Sequence, residues 1–270
     1  MIARAPLLVI PHGRRLLPGT LVRRWNRFLA DIELEGGEKV VAHCVNTGRM
    51  ECLTQRGLRV WVSKKDEPAG KLAYTWEITE VDGTMVGTNT SLPNRIVRSL
   101  LEARLLHGLS DWDEMKGERK YGENSRVDFW LRKGAQEHYV EVKNCHLVYP
   151  DRHGYFPDSV SERATKHLDE LMEVVRQGHR ATVIFTVQRG DAVAMRPSDV
   201  HDPAFAAAAR RAKACGVNFK ALRIRPTPEA MIIEDTIPVD LKEYETSRMQ
   251  QWMTENRALG PAWFTVKRSS

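Results

Sequence analysis

The sequence predicts an α/β (α+β) fold, in which a small, OB-like N-terminal β-barrel precedes an α/β domain. Two observations predict this order. Short strand-like runs separated by turns fill residues 20–90, and helix-like runs alternate with strand-like runs from residue 92 onward. The chain has 270 residues, of which 42% are hydrophobic and 28% charged, so it can bury the cores of two modest domains.

The barrel is predicted over residues 1–91. Its strand-like runs cover residues 20–32, 40–43, 58–62 and 72–81, and the turns between them contain Gly36-Gly37, Asn46-Thr47-Gly48 and Asp82-Gly83. Several short strands in a segment of this size are typical of a small closed barrel. The oligonucleotide-binding (OB) fold is one form of such a barrel, and the spacing alone does not select it.

The α/β domain is predicted over residues 92–241. Pro93 suits the first turn of a helix, and apolar residues then recur at helical spacing from Ile96 to Leu105. The elements expected after this helix are strands at 119–121, 126–132 and 138–145, a helix at 161–176, a strand at 181–187, a helix at 203–215 and a strand at 219–224. Residues 242–270 are predicted to form a C-terminal extension, with a polar helix at 244–258 and a basic end at Lys267-Arg268.

Several classes of protein are excluded by composition and spacing. The sequence has no apolar run of about 18 residues, so no membrane partner is expected. The four cysteines form neither a CxxC pair nor a zinc pattern, and together with the lack of a secretory leader they indicate a cytoplasmic protein. The sequence also lacks the glycine motifs of nucleotide-binding loops.

Basic residues are concentrated near the N-terminus. The formal net charge is +6, and the first thirty residues contain six arginines and no acid. This excess favours a polyanionic partner, and Trp25 interleaved with Arg23, Arg24 and Arg27 adds the option of stacking on bases. The alternative is a solvated strand face with Trp25 or Phe28 in the core, and composition does not decide between the two.

Two strand-like segments carry the most informative carboxylates. Side chains alternate along a strand, so Asp128 lies opposite to the apolar face of Val127, Phe129 and Leu131, and Glu141 and Lys143 lie opposite to Val140 and Val142. A hairpin turn at Gly134-Ala135 pairs residues whose numbers sum to 269. In that register Asp128 faces Glu141, and Arg126 faces Lys143.

Like charges directly opposite each other destabilise a strand pair, so this register needs a compensating group. A divalent cation held by Asp128 and Glu141 would provide it, because carboxylate oxygens suit Mg²⁺ or Mn²⁺. Lys143 could then stabilise charge on a phosphate. Diagonal ion pairs, Asp128 with Lys143 and Arg126 with Glu141, would neutralise the same face without a metal, and the pattern leaves this alternative open.

The helix after these strands has two distinct faces. Leu168, Leu171, Met172 and Val175 recur at core spacing, whereas three basic or potentially basic side chains share another face: Arg163, Lys166 and His167. Such a face suits contact with a phosphodiester backbone. Pairing within the helix, as between Glu162 and Lys166, is the alternative.

Eight ordered motifs occupy residues 24–31 (RWNRFLAD), 42–50 (AHCVNTGRM), 89–94 (NTSLPN), 120–129 (KYGENSRVDF), 139–144 (YVEVKN), 156–158 (FPD), 162–168 (ERATKHL) and 187–189 (VQR). In these motifs the chain resembles the bacterial sugar fermentation stimulation protein A family. The resemblance covers about residues 17–241. The tail after Leu241 has no counterpart in it.

The resemblance implies an OB-like barrel joined to a PD-(D/E)xK nuclease-like domain. It further implies sequence-nonspecific binding of DNA through its backbone and a regulatory role in sugar metabolism, especially that of maltose. Arg126 is expected to contact the DNA backbone together with the basic residues named above. In the nuclease superfamily the paired acids bind Mg²⁺ and the lysine assists catalysis, which corresponds here to Asp128, Glu141 and Lys143. An extra carboxylate on the first helix corresponds only to Glu102, since Ser99 stands where the family tends to have an acid.

Three functions therefore stay open at the level of sequence. The chain is expected to be a DNA-binding protein with a metal-dependent endonuclease site, a DNA-binding regulator without catalysis, or a nuclease of structured RNA. RNA stays open as a partner because it presents the same phosphates as DNA. The sequence does not predict the oligomeric state.

Overall fold

A computed structural model describes residues 5–66, 72–121 and 125–258 of the chain. The predicted basic end of the extension, within residues 259–270, and the motif residues 122–124 lie outside the described residues. Seven strands precede the first helix: β1 (Leu8–Pro11), β2 (Leu16–Trp25), β3 (Leu29–Leu34), β4 (Lys39–His43), β5 (Arg59–Lys64), β6 (Tyr74–Val81) and β7 (Thr84–Gly87).

Four helices and nine further strands follow in the described part of the chain. They are α1 (Leu92–Glu102), β8 (Glu114–Tyr121), β9 (Ser125–Lys133), β10 (Gln136–Cys145), β11 (Leu147–Val148), β12 (His153–Phe156), α2 (Glu162–Arg176), β13 (Arg180–Val187), β14 (Ala194–Pro197), α3 (Pro203–Cys215), β15 (Asn218–Pro226), β16 (Ala230–Ile237) and α4 (Ser247–Ala258). The predicted α/β class is confirmed.

The N-terminal unit is a small barrel. Its sheet has the strand order β4-β3-β2-β5-β6-β7, and a pairing between β4 and β6 closes it. The core contains Leu21, Ile32 and Trp76, all almost fully buried. Residues 20–32, predicted as one strand, are instead two strands of a hairpin. The chain turns at Asn26 and Arg27, whose φ angles of 49° and 64° lie in the left-handed region.

The second unit is built on a seven-stranded mixed sheet with the order β1-β16-β15-β13-β10-β9-β8. Its centre is parallel, because β10 pairs with β13 and β13 with β15 in the same direction, while the flanking pairs are antiparallel. A separate small sheet has the order β11-β12-β14.

Helices cover both faces of the large sheet. Helix α1 packs on one face with Phe129, Leu131, Val140 and Val142. Helices α2 and α3 pack on the other face around Phe185. Their N-terminal caps account for where they begin: the side chain of Ser161 accepts a hydrogen bond from the backbone N–H of Ala164, and Asp202 caps α3 in the same way.

Strand β1 was not predicted, and neither was β16, with which it pairs antiparallel from Leu8 to Pro11. By its hydrogen bonds the start of the described chain therefore belongs to the large sheet, before the chain enters the barrel. The limits predicted for the domains stay a prediction. Helix α4 lies within the predicted extension and packs Met249 and Met253 against Tyr149 and Tyr155.

Candidate active site

Strands β9 and β10 form the predicted hairpin. Lys133 pairs with Gln136, and the register continues to Phe129 opposite Val140, so the residue numbers in each pair sum to 269 as expected. The ladder stops there, one residue before Asp128. Beyond this point the backbone N–H of Val142 donates a hydrogen bond of 2.7 Å to Oδ2 of Asp128. The carboxylate of Asp128 is thereby fixed against the strand that carries Glu141.

The break in the ladder changes one expectation about the apolar face. Phe129 and Leu131 pack in the core under α1, as expected, but Val127 packs in the core on the opposite side of the sheet. The alternation of side chains changes at Asp128, where β9 leaves the ladder with β10 but stays paired with β8, opposite Glu118, whose φ of 54° departs from extended backbone.

Asp128 is held by two donors. Its Oδ1 accepts a hydrogen bond of 2.8 Å from the side-chain amide of Asn94 on α1, and its Oδ2 accepts the one from Val142. Burial, followed by the negative charge of Glu141, raises the pKa of Asp128 to about 6 despite these donors. The carboxyl of Asp128 therefore lies close enough to Glu141 to feel its negative charge.

Glu141 is buried, with 3% of its surface exposed. Its Oε1 accepts a hydrogen bond of 2.7 Å from Nζ of Lys143 and lies 2.5 Å from Nδ1 of His167. Burial alone would raise the pKa of Glu141, but the hydrogen bond from His167 and the charge of Lys143 outweigh it and lower the pKa. Oε2 of Glu141 is buried and has no hydrogen-bond partner among the described residues.

Lys143 forms its ion pair with Glu141 on its own strand, and not with Asp128 as the diagonal alternative requires. Its ammonium also lies 3.5 Å from Nδ1 of His167. A cation and an imidazole thus contact Glu141 on the face of β10 that α2 covers, while Asp128 is held by Asn94 of α1. Such a cluster can hold a positive charge at a phosphate or orient a water molecule.

Two further side chains of the site were not predicted from the sequence. The buried hydroxyl of Tyr121 and Oε2 of Glu170 also have no hydrogen-bond partner among the described residues. Burial, then the charges of Glu141, Glu170 and Asp128, raise the pKa of the Tyr121 phenol, so all three carboxylates lie near it. Asn94 was missed because only acids were sought on the first helix, although it follows Pro93 within a motif.

The structure does not bring every predicted residue to the carboxylate pair. Glu102 is exposed at the end of α1 and pairs with Arg98 at 3.8 Å, so it adds no ligand. Arg163 and Lys166 lie exposed on α2, and Lys166 pairs with Glu170 at 3.8 Å. His167 requires a correction: it is buried and faces Glu141, which prevents it from contacting a nucleic-acid backbone.

Arg24 also requires a correction. Only 1% of its surface is exposed, and its guanidinium donates hydrogen bonds to the backbone carbonyls of Arg27, Asn46 and Gly48. Burial makes it a structural residue of the barrel and not a phosphate contact. Arg23 is exposed and pairs with Asp31.

The two other predicted nucleic-acid contacts are surface residues. Arg27 lies exposed in the turn between β2 and β3, and Arg126 lies exposed on β9. Neither position by itself tests the predicted contact with phosphates, which stays a prediction.

The side chains at this site limit which metal ion it can bind. In the described ranges no group of three or more His, Cys, Asp and Glu side chains could hold a metal ion. Asp128 and Glu141 provide hard oxygen donors here, and Oε2 of Glu141, like Oε2 of Glu170, has no partner among the described residues. Magnesium is commonly bound by one or two carboxylates, with water and phosphate completing its shell, so these residues fit such an ion.

Of the helices that the structure describes, none has the length and apolar character that a membrane span requires.

Comparisons with known proteins agree with the two-unit fold. The family model "Sugar fermentation stimulation protein RE domain" matches residues 91–230, and "SfsA N-terminal OB domain" matches residues 22–88. A "Sugar fermentation stimulation protein homolog" from Geotalea uraniireducens (strain Rf4) is 46% identical over 224 residues, which are 83% of this chain and 96% of that protein. The homolog from Geobacter sulfurreducens is 45% identical over 232 residues, 86% of this chain and 98% of that protein.

A solved structure is also similar. It is described as Pyrococcus furiosus SfsA in complex with Ca²⁺, and it superposes with a TM-score of 0.78 at 25% sequence identity. The match covers 88% of this chain and all of that one. The barrel and the α/β unit therefore occur together, in this order, in a protein solved independently.

Proposed function

The chain belongs to the sugar fermentation stimulation protein family, and from this we propose that it binds nucleic acid and carries a metal-dependent phosphodiesterase centre. The centre consists of Asp128, Glu141 and Lys143. One observation supports it most: a buried carboxylate oxygen, Oε2 of Glu141, has no described partner beside a second carboxylate whose pKa is raised by burial and by the charge of Glu141. Buried polar atoms normally have hydrogen-bond partners, so the lack of one at Oε2 of Glu141 favours a ligand that binds there.

A divalent cation is the ligand that fits. It would neutralise the repulsion between Asp128 and Glu141, and the similar protein from Pyrococcus furiosus is described in complex with Ca²⁺. We propose Mg²⁺ or Mn²⁺ as the working ion. When bound, such an ion polarises a phosphate and lowers the pKa of a coordinated water.

The side chains around the metal ion would each have a separate role. Nζ of Lys143 lies 2.7 Å from Oε1 of Glu141, where its positive charge would stabilise negative charge on the scissile phosphate. His167 holds Oε1 of Glu141, which leaves Oε2 for the ion. Asn94 and the backbone of Val142 hold the two oxygens of Asp128 and fix its orientation.

Charge supports nucleic acid as the substrate. The chain has a net charge of +6, and Arg163 and Lys166 lie exposed on the helix that supplies His167. Contacts to phosphates alone carry no sequence information, so binding is proposed to be nonspecific in sequence. DNA in the cytoplasm is the proposed partner, and structured RNA is the alternative that the same chemistry serves.

Nicking of supercoiled plasmid in Mg²⁺ or Mn²⁺ tests the catalytic proposal. We expect Asp128→Asn, Glu141→Gln and Lys143→Ala each to slow nicking about 100-fold or more. Lys213→Ala is the control, since Lys213 is an exposed residue of α3, far along the chain from the pair. Equal nicking by all the proteins would end the assignment, and a structured RNA hairpin assayed in parallel decides between DNA and RNA.

A second candidate is a DNA-binding regulator of sugar metabolism, including that of maltose, without turnover. The observation that favours it is the double contact of Lys143 and His167 with Oε1 of Glu141, which compensates this carboxylate without a metal. For this candidate, gel shifts would show salt-sensitive retention of DNA that Asp128→Asn leaves unchanged. The wild type would nick no plasmid in either metal.

A further inference from the structure

A cleft of about 650 Å³ lies between the barrel and the α/β unit. We call it the interdomain cleft. Its walls come from the barrel strands β4, β5 and β6, from the segment between β1 and β2, and from helix α1. Cavities of about 300–1,000 Å³ are typical of sites for small molecules. A double helix does not fit such a volume, whereas a single nucleotide does.

Positive charge dominates the rim of the interdomain cleft. Arg14, Lys65 and Arg95 line it, together with the imidazoles of His12 and His43. Arg95 is exposed and has no hydrogen-bond or ion-pair partner in the described part of the chain. Within the described residues, Arg14 forms an ion pair with the exposed Asp66 at 3.3 Å, and Nε2 of His12 lies 2.8 Å from the carbonyl oxygen of Thr227. An anion entering the cleft therefore meets cations whose charge is largely uncompensated.

The floor of the cleft is polar and ordered. Glu77 is its acid, and both carboxylate oxygens are already bonded: Oε1 to the hydroxyl of Ser63 at 2.7 Å and Oε2 to the amide of Asn89 at 2.8 Å. Each carboxylate oxygen can accept a second hydrogen bond, so Glu77 can still receive hydroxyl or amine donors. The phosphate would stay at the rim, away from this acid.

Apolar side chains form the remaining wall, among them Val45, Leu92 and Ile96. The cleft thus combines a cationic rim, a floor that accepts hydrogen bonds and an apolar side. A nucleotide has the matching parts: a phosphate, a hydroxylated or deoxygenated sugar, and a base with a flat apolar face. A bare inorganic anion would use only the rim.

Helix α1 connects the cleft to the carboxylate pair. Arg95 faces the cleft, and the preceding residue, Asn94, donates its hydrogen bond to Asp128. The same turn of α1 thus contributes Arg95 to the cleft and holds Asp128 through Asn94. Of the barrel arginines predicted to contact the nucleic-acid backbone, Arg24 does not extend this path, because it is buried.

We propose that the interdomain cleft binds one nucleotide of a single strand and leads that strand along α1 to Asp128 and Glu141. The inference rests on the proposed function in that the strand is its substrate. It adds that the substrate is unpaired at this point. A free nucleotide carries the same chemistry, so the test must separate the two sources.

The test measures binding of a fluorescein-labelled decathymidylate by anisotropy. Arg95→Glu and Lys65→Glu should each weaken binding at least tenfold and lower the salt dependence by about one phosphate contact. Ser99→Trp, which fills the cleft without changing its charge, should weaken binding by a similar factor. Lys213→Glu is the control for charge, since α3 packs on the face of the sheet opposite to α1, and it should stay within twofold.

Each outcome bears on the inference. An equal loss in Lys213→Glu and the cleft variants, or normal binding by Ser99→Trp, overturns it. If thymidine monophosphate competes at concentrations that match the affinity of the labelled strand, the proposed binding of a single strand is overturned and a site for a free nucleotide is supported. Thermal unfolding confirms that each variant is folded.

Failure of the proposed function would look different. If the cleft variants bind and nick normally while Asp128→Asn does not nick, the inference fails and the catalytic proposal stands. If they lose binding while the wild type never nicks in either metal, the cleft stands and catalysis fails.

Discussion

Nδ1 of His167 lies 2.5 Å from Oε1 of Glu141, a contact that joins helix α2 to strand β10 inside the molecule. Lys143 approaches the same oxygen, so both neighbours act on one side of the carboxylate. The other oxygen, Oε2, is left for a ligand. The helix thus determines which atom of Glu141 is available.

His167→Ala should therefore weaken binding of Mn²⁺ about tenfold or more, as loss of a group that orients a metal-binding carboxylate commonly does. Isothermal titration of Mn²⁺ measures this. His107→Ala is the matched control, because His107 is exposed in the loop after α1. Equal Mn²⁺ affinity of the two variants would show that His167 does not orient Glu141.

His138 should make the protein sensitive to acid. Burial, then the charges of Arg180 and Lys220, lower its pKa to about 3 from an ordinary value of 6.5. Between these values the unfolded chain binds the extra proton, so the free energy of unfolding falls as the pH drops below 6.5. The slope approaches about 1.4 kcal/mol per pH unit well below pH 6.5, so the loss between pH 6.5 and 4.5 is roughly 2 kcal/mol.

Urea unfolding at a series of pH values tests this. The variant His138→Gln does not titrate and can keep a hydrogen bond to Thr182, which His138 contacts at 2.7 Å. It should lose clearly less stability than the wild type between pH 6.5 and 4.5. Parallel curves for the two proteins would mean that His138 is protonated in the folded state.

Arg24→Met should lower the free energy of unfolding by at least about 2 kcal/mol. The change leaves buried carbonyl oxygens of Asn46 and Gly48 without their donor, and unsatisfied buried groups are costly. Arg23→Met should cost less than about 1 kcal/mol, because its ion pair with Asp31 lies at the surface. Chemical denaturation compares the two, and the opposite ranking would contradict the structural role of Arg24.

Tyr121→Phe should leave the protein as stable as the wild type or slightly more stable. The buried hydroxyl of Tyr121 makes no hydrogen bond of standard geometry to a described residue, although Glu170 lies close enough to raise its pKa. Removing a polar group without a well-formed hydrogen bond relieves its desolvation. A shift of the melting temperature measures the effect. A loss of more than about 1 kcal/mol would show that the hydroxyl is bonded in solution, for example to a water shared with Glu170.

Local signals in the sequence were enough for much of the fold. The hairpin register followed from alternation and from the turn at Gly134-Ala135, and α3 was predicted at its observed limits. Helix α2 was predicted within one residue, because Ser161 is a good cap. These features depend on neighbours along the chain, which periodicity reports directly.

Features that depend on distant parts of the chain could not be predicted. The pairing of β1 with β16 joins residues more than 200 positions apart. The burial of Arg24 and the inward orientation of His167 are also set by tertiary packing, since an exposed and a buried basic residue look alike in a charge pattern. For the proposed site, spacing predicted Asp128, Glu141 and Lys143, whose roles stay a prediction, whereas the hydrogen bond from Asn94 crosses a helix–strand contact that no spacing encodes.

The pairing of β1 with β16 also bears on solubility. Because β1 covers β16, the latter is not the outermost strand of its sheet. A chain shortened by its first eleven residues would uncover a row of free N–H and C=O groups along β16, and uncovered edges of this kind recruit strands from other molecules. Strand β1 thus prevents self-association by occupying the edge of β16. A fragment meant to isolate the α/β unit would have to keep β1 or replace it with another strand.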